Sequence, residues 1–414
     1  MERREFLTVA GAATVYSVRS AEWGMRSDNG QLRTPHSALR TLGSQAPALG
    51  PDVYARRIDR LQQELKTQKL DLFVAEPSTN FQYLAGYNPG RSERLILLMV
   101  PVAGAPVVIC PSFEVERLKR NSAIADVRGW EEQDDPWDLV TTAGRAMKPP
   151  RRSGTVAIEP STSFESSLHL HDKLGGWKLV NGAAVTQRLR IVKAPEEVAL
   201  IRRAIEATEA SIAATFAQLA VGMTERDVAQ LLSREMSSRG SSGGGLVQFG
   251  PSSALPHGGP SAGKLERETV VLIDAGSRIE GYTSDITRTM WFGDAPSDEF
   301  KKVFNLVHDA QSAAMQAGRP LMTQCQEMDR LARKVITDGG YGQFFLHRLG
   351  HGMGMDGHEP PYLVEGNETR LEPGMVFTIE PGIYQLGKWG VRIEDDCVMG
   401  ENGVEVLSHR PARF

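Results

Sequence analysis

The chain has 414 residues and a formal net charge of −4, with 41% apolar and 24% charged residues. This length accommodates two or three domains, and the nearly balanced charge argues against a nucleic-acid-binding protein, which would need a strongly basic domain. No apolar run approaches the roughly 20 residues that a membrane-spanning helix requires.

The cysteines argue against two further kinds of site. They are few, far apart and without C-x-x-C spacing, which disfavours both a disulfide framework and a thiolate metal site. We therefore expect Cys110, Cys325 and Cys397 to be buried as small apolar residues.

Residues 1–20, "MERREFLTVAGAATVYSVRS", resemble a twin-arginine export signal, because "RREFL" precedes a weakly apolar segment. The alternative is a basic amphipathic first helix in a cytoplasmic protein. No clear cleavage site follows, and residues 21–52 lack periodicity, so we interpret them as a linker. We expect the folded protein to be exported to the periplasm.

Residues 53–190 are predicted to form a smaller α/β domain. Ile58 and Leu61 recur at helical spacing, and the apolar runs "DLFVA", "RLILLMV", "GAPVVIC" and "GTVAIEP" indicate buried strands. His169 and His171 would share one face if their segment were a strand, but they lack further ligand spacing. We expect surface or structural roles for both, and no catalytic site in this domain.

A second domain is predicted over residues 191–414. Its first helix begins at Pro195, and its second begins at Thr224 and Asp227, which have the spacing of a capping box. The glycine-rich "SSGGG" that follows is predicted to be a loop, and "LVQFG" and "ETVVLID" are predicted to be strands.

The same order of helices and strands then recurs. "DEFKKVFNLVHDAQSAAMQ" is predicted to be helical, and Thr323 and Gln326 have capping-box spacing at the start of the next helix. The stretch "LERETVVLIDAG" (265–276) aligns with "LEPGMVFTIEPG" (371–382). We infer a duplicated helix–helix–strand half-domain, with chance similarity of two amphipathic strands as the alternative.

The duplication brings four acids into correspondence. Asp274 aligns with Glu380, and Asp285 and Glu394 follow them by eleven and fourteen residues. If the halves pack about a pseudo-two-fold axis, these acids converge at the centre. Buried carboxylates must be paired, protonated or bound to a metal.

Histidines cluster in the second half. His347, His351 and His358 lie in the glycine-rich stretch "HRLGHGMGMDGHEPPY". Four carboxylates and one imidazole suit two divalent ions, because the opposite charges leave the cluster close to neutral. Oxygen ligands with one nitrogen favour manganese, cobalt, iron or zinc over a thiolate-selected metal.

Four stretches resemble the motifs of the pita-bread metallopeptidases, which include methionine aminopeptidase, Xaa-Pro aminopeptidase and prolidase: "DAGSRIEGYTSDITRT", "GHGMGMDGHEPP", "PGMVFTIEPGIY" and "GVRIEDD". The resemblance covers about residues 190–414, and "NFQYLAGY" (80–87) is similar to the smaller N-terminal domain of the proline-specific members. It implies an α+β protein in which a creatinase-type α/β domain precedes a pita-bread catalytic domain of duplicated ααββ halves.

The resemblance also implies a dinuclear metal centre. Its ligands would be Asp274, Asp285, His351, Glu380 and Glu394, with Asp285 and Glu394 bridging the two ions. We expect manganese first, with cobalt, zinc or iron as alternatives. Glu380 would also move the proton of the attacking water.

Four further residues match positions around the substrate and the ligands of that family. His257 and His358 would contact the substrate, and His347 and Arg392 would support the ligands. Gly357 departs from the family, which often has a β-branched residue there, so we expect a looser loop before His358.

The resemblance favours an Xaa-Pro aminopeptidase, which acts on peptides with proline at the second position. A prolidase acting on dipeptides is the alternative. A non-peptidase hydrolase or lyase, or an inactive binding protein on the same fold, is more remote because the ligand set is complete. We expect peptide substrates and, since family members are commonly oligomers, a homodimer or homotetramer.

Overall fold

The computed structural model describes residues 49–147, 154–259 and 261–414. The predicted signal segment 1–20 and nearly all of the predicted linker 21–52 lie outside the described residues, so both stay predictions. Within the described part of the chain, none of the helices combines the length and the apolar character needed to cross a membrane.

A mixed six-stranded sheet forms the core of the N-terminal part, in the order β4-β3-β2-β1-β5-β6. The strands are β1 (Leu72–Ala75), β2 (Leu97–Pro101), β3 (Val107–Pro111), β4 (Asp126–Trp130), β5 (Thr155–Ile158) and β6 (Lys178–Asn181). The helices are α1 (Pro51–Thr67), α2 (Thr79–Ala85), α3 (Val115–Asn121), α4 (Pro136–Ala146), α5 (Phe164–Lys173) and α6 (Ala183–Arg190). The predicted apolar runs are buried strands, and Leu61 of α1 lies in the same apolar cluster as Phe73 of β1.

The segment with His169 and His171 is helix α5 rather than a strand, so the two rings do not share one face. The His169 ring stacks on the Trp137 ring, with 4.9 Å between the ring centroids. The His171 side chain is exposed and lies beside Asp172. Both positions fit the predicted surface or structural roles.

The C-terminal part contains two helix pairs, each followed by antiparallel strands. The helices are α7 (Pro195–Phe216), α8 (Glu225–Ser238), α9 (Asp298–Ala317) and α10 (Cys325–Asp338). The strands of the first half are β7 (Ser242–Phe249), β8 (Thr269–Ile279), β9 (Tyr282–Thr283) and β10 (Ile286–Phe292). Those of the second half are β11 (Gly350–Gly352), β12 (Glu359–Leu363), β13 (Val376–Ile379), β14 (Gly382–Gln385), β15 (Trp389–Arg392), β16 (Asp395–Met399) and β17 (Val404–Val406).

These strands form two larger sheets and a hairpin. The first sheet has the order β10-β8-β7, with β9 paired to β8, and the second has the order β12-β11-β13-β16-β17. Strands β14 and β15 pair only with each other within the described residues. The predicted duplication is visible in this order of elements, and it places the aligned segments 265–276 and 371–382 in the inner strands β8 and β13.

The caps of α8 and α10 show how similar the two halves are in local structure. The Asp227 backbone N–H donates to Thr224 Oγ1 at 3.1 Å, and the Thr224 N–H donates to the Asp227 carboxylate at 2.9 Å, as predicted. The prediction for the second half was wrong by one residue: Gln324 is the cap, and its N–H donates to Glu327 at 2.6 Å. Two pairs of polar residues, Thr323 with Gln326 and Gln324 with Glu327, have the capping-box spacing, and the sequence alone did not distinguish them.

The predicted loop "SSGGG" is mostly strand, because β7 begins at Ser242. Glycine is required there by close backbone approach: a Cβ on Gly245 would lie 2.4 Å from the Asp274 carbonyl oxygen and 2.8 Å from the Ala275 Cβ. The glycine-rich composition predicts a flexible loop. In the structure, the absence of a side chain at Gly245 instead lets β7 pack closely against β8, the strand that carries Asp274.

The three cysteines are buried and free, as predicted. Burial raises the pKa of Cys110 and Cys325 to about 12. Both thiols therefore stay protonated near neutral pH and are poor nucleophiles or metal ligands.

Candidate metal centre

Five side chains that were predicted to bind metal come from the two halves of the C-terminal part. Asp274 lies in β8 and Asp285 precedes β10, whereas His351 lies in β11, Glu380 follows β13 and Glu394 precedes β16. The inner strands are held in place by apolar residues, including Ile273 and Ile379, which are fully buried. Asp274 and Glu380 directly follow these two residues, so the buried isoleucines fix the backbone that carries both carboxylates.

The structure brings all five side chains together. Three groups have ligand atoms that lie within 4.8 Å of one another: Asp274 with Asp285 and Glu394, His351 with Glu380 and Glu394, and Asp285 with His351 and His358. Asp285 and Glu394 each belong to two groups, as two bridging carboxylates would, and His351 also belongs to two. His351 Nε2 lies 3.4 Å from Glu380 Oε1 and 3.7 Å from Asp285 Oδ2.

The carboxylates repel one another in a largely dry site. Burial, and then the charge of Glu394, raises the pKa of both Asp285 and Glu380 well above the ordinary range. Burial, followed by Asp274, raises the pKa of Glu394 to about 7. Such crowding is costly unless protons or cations neutralise it.

The hydrogen bonds of His351 leave one ring nitrogen free for a cation. Its Nδ1 lies 3.1 Å from the Gly352 carbonyl oxygen, which can only accept, so Nδ1 carries the proton. Nε2 then has a bare lone pair that faces Asp285 and Glu380. Burial, and then His358, lowers the pKa of His351 to about 3, so the ring is neutral.

His358 has the opposite tautomer. Arg348 Nη2 lies 3.2 Å from His358 Nδ1, and because a guanidinium only donates, Nδ1 accepts and Nε2 carries the proton. The His358 ring packs on the His351 ring, with 3.8 Å between the centroids. His358 is exposed, and its Nε2–H is suited to donating a hydrogen bond to a bound molecule.

His257 is placed near the cluster but outside it. It lies in an exposed turn after the 3₁₀ helix Gly250–Ala254 and belongs to none of the three ligand groups. Its charge contributes to the lowered pKa of His358, after burial and Arg348, so the two rings are within electrostatic reach. This position is compatible with the predicted contact with a substrate.

Arg392 and His347 lie directly behind the carboxylates and are joined by Tyr384, which sequence reasoning did not single out. Arg392 donates to Asp274, to Thr287 Oγ1 at 2.9 Å and to the Tyr384 hydroxyl at 3.0 Å. The Tyr384 hydroxyl lies 2.8 Å from His347 Nε2, while His347 Nδ1 lies 2.7 Å from the Arg348 carbonyl oxygen. Burial raises the pKa of Tyr384 to about 12, so its hydroxyl remains a donor to His347.

Other supporting residues also escaped the sequence analysis. Thr287 Oγ1 donates to Glu394 at 2.6 Å, and Asp396 accepts the backbone N–H of Asp285 at 3.0 Å. Thr378 Oγ1 donates to Glu380 at 3.3 Å. All lie inside the quoted motifs or next to them, so nearness to a predicted ligand was the one signal that could have indicated them.

The donor set fits divalent metal ions. It offers carboxylate oxygens and one unprotonated imidazole nitrogen, and Arg392 is the one guanidinium within 4.0 Å of these carboxylates in the described chain. One positive charge cannot balance four acids, and two divalent cations can. Oxygen ligands with one nitrogen suit first-row metals such as manganese, cobalt, iron or zinc.

Two family models match the chain. Metallopeptidase family M24 matches residues 199–401, and the creatinase/prolidase N-terminal domain matches residues 57–192. An Xaa-Pro dipeptidase from Lactobacillus helveticus is 35% identical over 359 residues, which cover 85% of this chain and 96% of the relative.

Solved structures give the same result for the fold. The dipeptidase PepE from Mycobacterium ulcerans is similar with a TM-score of 0.81 and 35% identity, covering 89% of this chain and 99% of that one. The X-Pro aminopeptidase from Thermotoga maritima has a TM-score of 0.76 and 32% identity, with coverages of 86% and 98%.

The predicted family and fold class are thus confirmed. A creatinase-type α/β domain precedes a pita-bread domain whose duplicated halves meet at the cluster of acids and imidazoles. The chain belongs to metallopeptidase family M24.

Proposed function

We propose that the protein is an Xaa-Pro dipeptidase that uses two divalent metal ions. The observation that carries this proposal is the convergence of five ligand side chains from two duplicated halves in a member of this family. The names of the relative from L. helveticus and the structure from M. ulcerans, both dipeptidases, support the choice of substrate.

The five side chains would divide between two ions. Asp274 would complete the surroundings of one ion, and His351 and Glu380 those of the other, with Asp285 and Glu394 shared. When bound, such a pair of ions supplies a water nucleophile at neutral pH and polarises the substrate carbonyl. We propose manganese as the metal, on the basis of the oxygen-rich donor set.

The chain's own residues would orient the substrate and move the proton. His358 Nε2–H would donate to the oxygen of the scissile carbonyl as negative charge develops there. Glu380 would take up the proton that the attacking water loses and deliver it to the proline nitrogen as the peptide bond breaks. His257 would contact the substrate from the exposed turn above the cluster.

Cleavage of longer peptides is the second candidate. The sequence favours an Xaa-Pro aminopeptidase, and the structure from T. maritima carries that name. The dipeptidase names among the relatives support the alternative more strongly, so we place the aminopeptidase second.

A substrate panel separates the two candidates. We expect manganese-loaded protein to hydrolyse Gly-Pro and Ala-Pro at least about tenfold more efficiently than Arg-Pro-Pro-type peptides, since a dipeptidase discriminates against a residue beyond the proline. The reverse preference would indicate the aminopeptidase, and no cleavage of either kind in metal-loaded protein would refute the proposal.

Two further proposals concern the setting of the enzyme. The twin-arginine-like segment supports export to the periplasm, and fractionation that finds the protein only in the cytosol would refute it. We also propose a homo-oligomer, a dimer or a tetramer, which sedimentation of the intact protein tests.

A further inference from the structure

The loop that carries His358 is held by residues far away in sequence. This His358 loop, residues 353–358, connects β11 to β12. Thr79, at the start of α2, donates from Oγ1 to Asp356 Oδ1 at 2.7 Å. Arg190, at the end of α6, donates from Nη2 to Asp356 Oδ2 at 2.7 Å. Both partners belong to the creatinase-type N-terminal domain.

The other side of His358 is held by a second acid. Glu359 pairs with Arg190, and its Oε1 lies 2.8 Å from Lys193 Nζ. The side chains of Arg190 and Glu359 are only 10% and 8% exposed. A charge-assisted hydrogen bond in such a dry position constrains geometry more strongly than one at the surface.

The loop has little packing of its own at its tip. Among the described residues, a Cβ on Gly357 would meet nothing within 4 Å, and His358 is exposed. Met353 and Met355 are buried at the base of the loop, so the contacts of Asp356 and Glu359 restrain the segment next to His358. They act together with the contacts that the ring makes with Arg348 and His351.

The position of that imidazole is closely constrained at the centre. Its ring packs on His351, and its Nδ1 faces Arg348. A shift of about 1 Å in a group that contacts the reacting atoms can reduce turnover by about 100-fold. Small displacements of Asp356 would thus be transmitted directly to the site.

We propose that Thr79 and Arg190 are positioning residues that make the N-terminal domain part of the catalytic apparatus through His358. This inference rests on the proposed function only for the role of His358. None of the described residues of the N-terminal domain belongs to the three ligand groups, so this domain acts by fixing the loop from outside.

Arg190→Gln and Thr79→Val remove the anchors, and Arg188→Gln is the matched control. Arg188 lies on the same helix and also pairs with the catalytic domain, at 3.1 Å from Glu372, but its side chain is 56% exposed and does not touch the loop. In manganese-loaded protein assayed with Ala-Pro, we expect Arg190→Gln to lower kcat by roughly 10- to 100-fold and Thr79→Val by less, with KM and metal content unchanged. Arg188→Gln should match the wild type.

A double-mutant cycle tests whether the effect passes through His358. In a His358→Ala background, either anchor variant should lower kcat by less than about twofold further. A full additional loss in that background, or wild-type kcat in both single variants, would overturn the proposal.

Hydrogen–deuterium exchange gives a readout that does not depend on the substrate. Exchange in residues 353–358 should rise in Arg190→Gln and Thr79→Val and stay at the wild-type level in Arg188→Gln. Unchanged exchange in the anchor variants would overturn the anchoring itself. Failure of the wild type to cleave any X-Pro peptide would instead refute the proposed function, and the exchange data would still decide the anchoring.

Discussion

At the scale of single residues, Tyr384 shows how this centre is supported from behind. Its hydroxyl accepts a hydrogen bond from Arg392 and donates one to His347. This single group therefore links Arg392, which contacts Asp274, to His347. The tyrosine is almost fully buried. Within the described residues, Arg392 Nη1 and His347 Nε2 each have this hydroxyl as their one hydrogen-bond partner.

Tyr384→Phe should therefore destabilise the protein by about 1–3 kcal/mol, because it leaves buried polar groups of Arg392 and His347 without a partner. Tyr341→Phe is the matched control: Tyr341 is half-buried, and we expect a change within about 0.5 kcal/mol. Chemical denaturation of the metal-free proteins measures both. Equal stabilities of the two variants would contradict the linking role of Tyr384.

At the scale of elements, the strands that carry the acids depend on close backbone approach. Gly245 lies opposite Ala275 in the pairing of β7 with β8. Any side chain at this position would push β7 away from Asp274.

Gly245→Ala should destabilise the protein by about 1–3 kcal/mol, the usual cost of overpacking. Gly244→Ala is the control in the same strand, because within the described part of the chain its Cβ would meet only Ser233 Oγ, at 3.2 Å, and this flexible side chain can move. Thermal or chemical unfolding measures the difference. A Gly245→Ala protein as stable as Gly244→Ala would show that the two strands can separate without cost.

The elements also show what the sequence could and could not predict. Apolar runs and capping spacings predicted α1, the four helices of the C-terminal part and several of the strands. The aligned acids Asp274 and Glu380 predicted the place where the halves meet. The strand in "SSGGG" was missed because glycine composition resembles a loop when the opposing backbone is unknown. Arg190 was missed because its partners Asp356 and Glu359 are more than 160 residues away, so no local pattern marks it. Tyr384 lies inside a quoted motif, but only the folded chain shows that its hydroxyl joins Arg392 to His347.

At the scale of the whole molecule, the centre is a source of instability when no cation neutralises it. Glu394 has a folded-state pKa of about 7, raised from 4.5 by burial and then by Asp274. A raised carboxyl pKa means that the folded protein holds this proton to higher pH than the unfolded chain. Its contribution to stability is present at low pH and is lost as the pH rises from about 4.5 to about 7.

In metal-free protein, Glu394→Gln should therefore stabilise the fold relative to the wild type, and more at pH 7.5 than at pH 5. One pKa unit corresponds to about 1.4 kcal/mol, so the gain should be on the order of 1–3 kcal/mol. The pKa values of His347 and His351 are lowered to about 4 and about 3, so the contribution of these groups to stability increases as the pH rises. Both the wild type and Glu394→Gln contain these histidines, so their contribution cancels when the two proteins are compared at the same pH. Denaturant unfolding of both proteins from pH 5 to pH 7.5 measures this difference in stability. A difference that shrinks as the pH rises would contradict the account.

The most direct test of the dinuclear centre is a count of bound metal in manganese-loaded protein by elemental analysis, for the wild type and for Asp285→Ala. Asp285 belongs to two of the three ligand groups, so the account predicts about two ions per wild-type chain and fewer than about one in the variant. A wild type that binds no manganese, or an Asp285→Ala protein that keeps both ions, would contradict it.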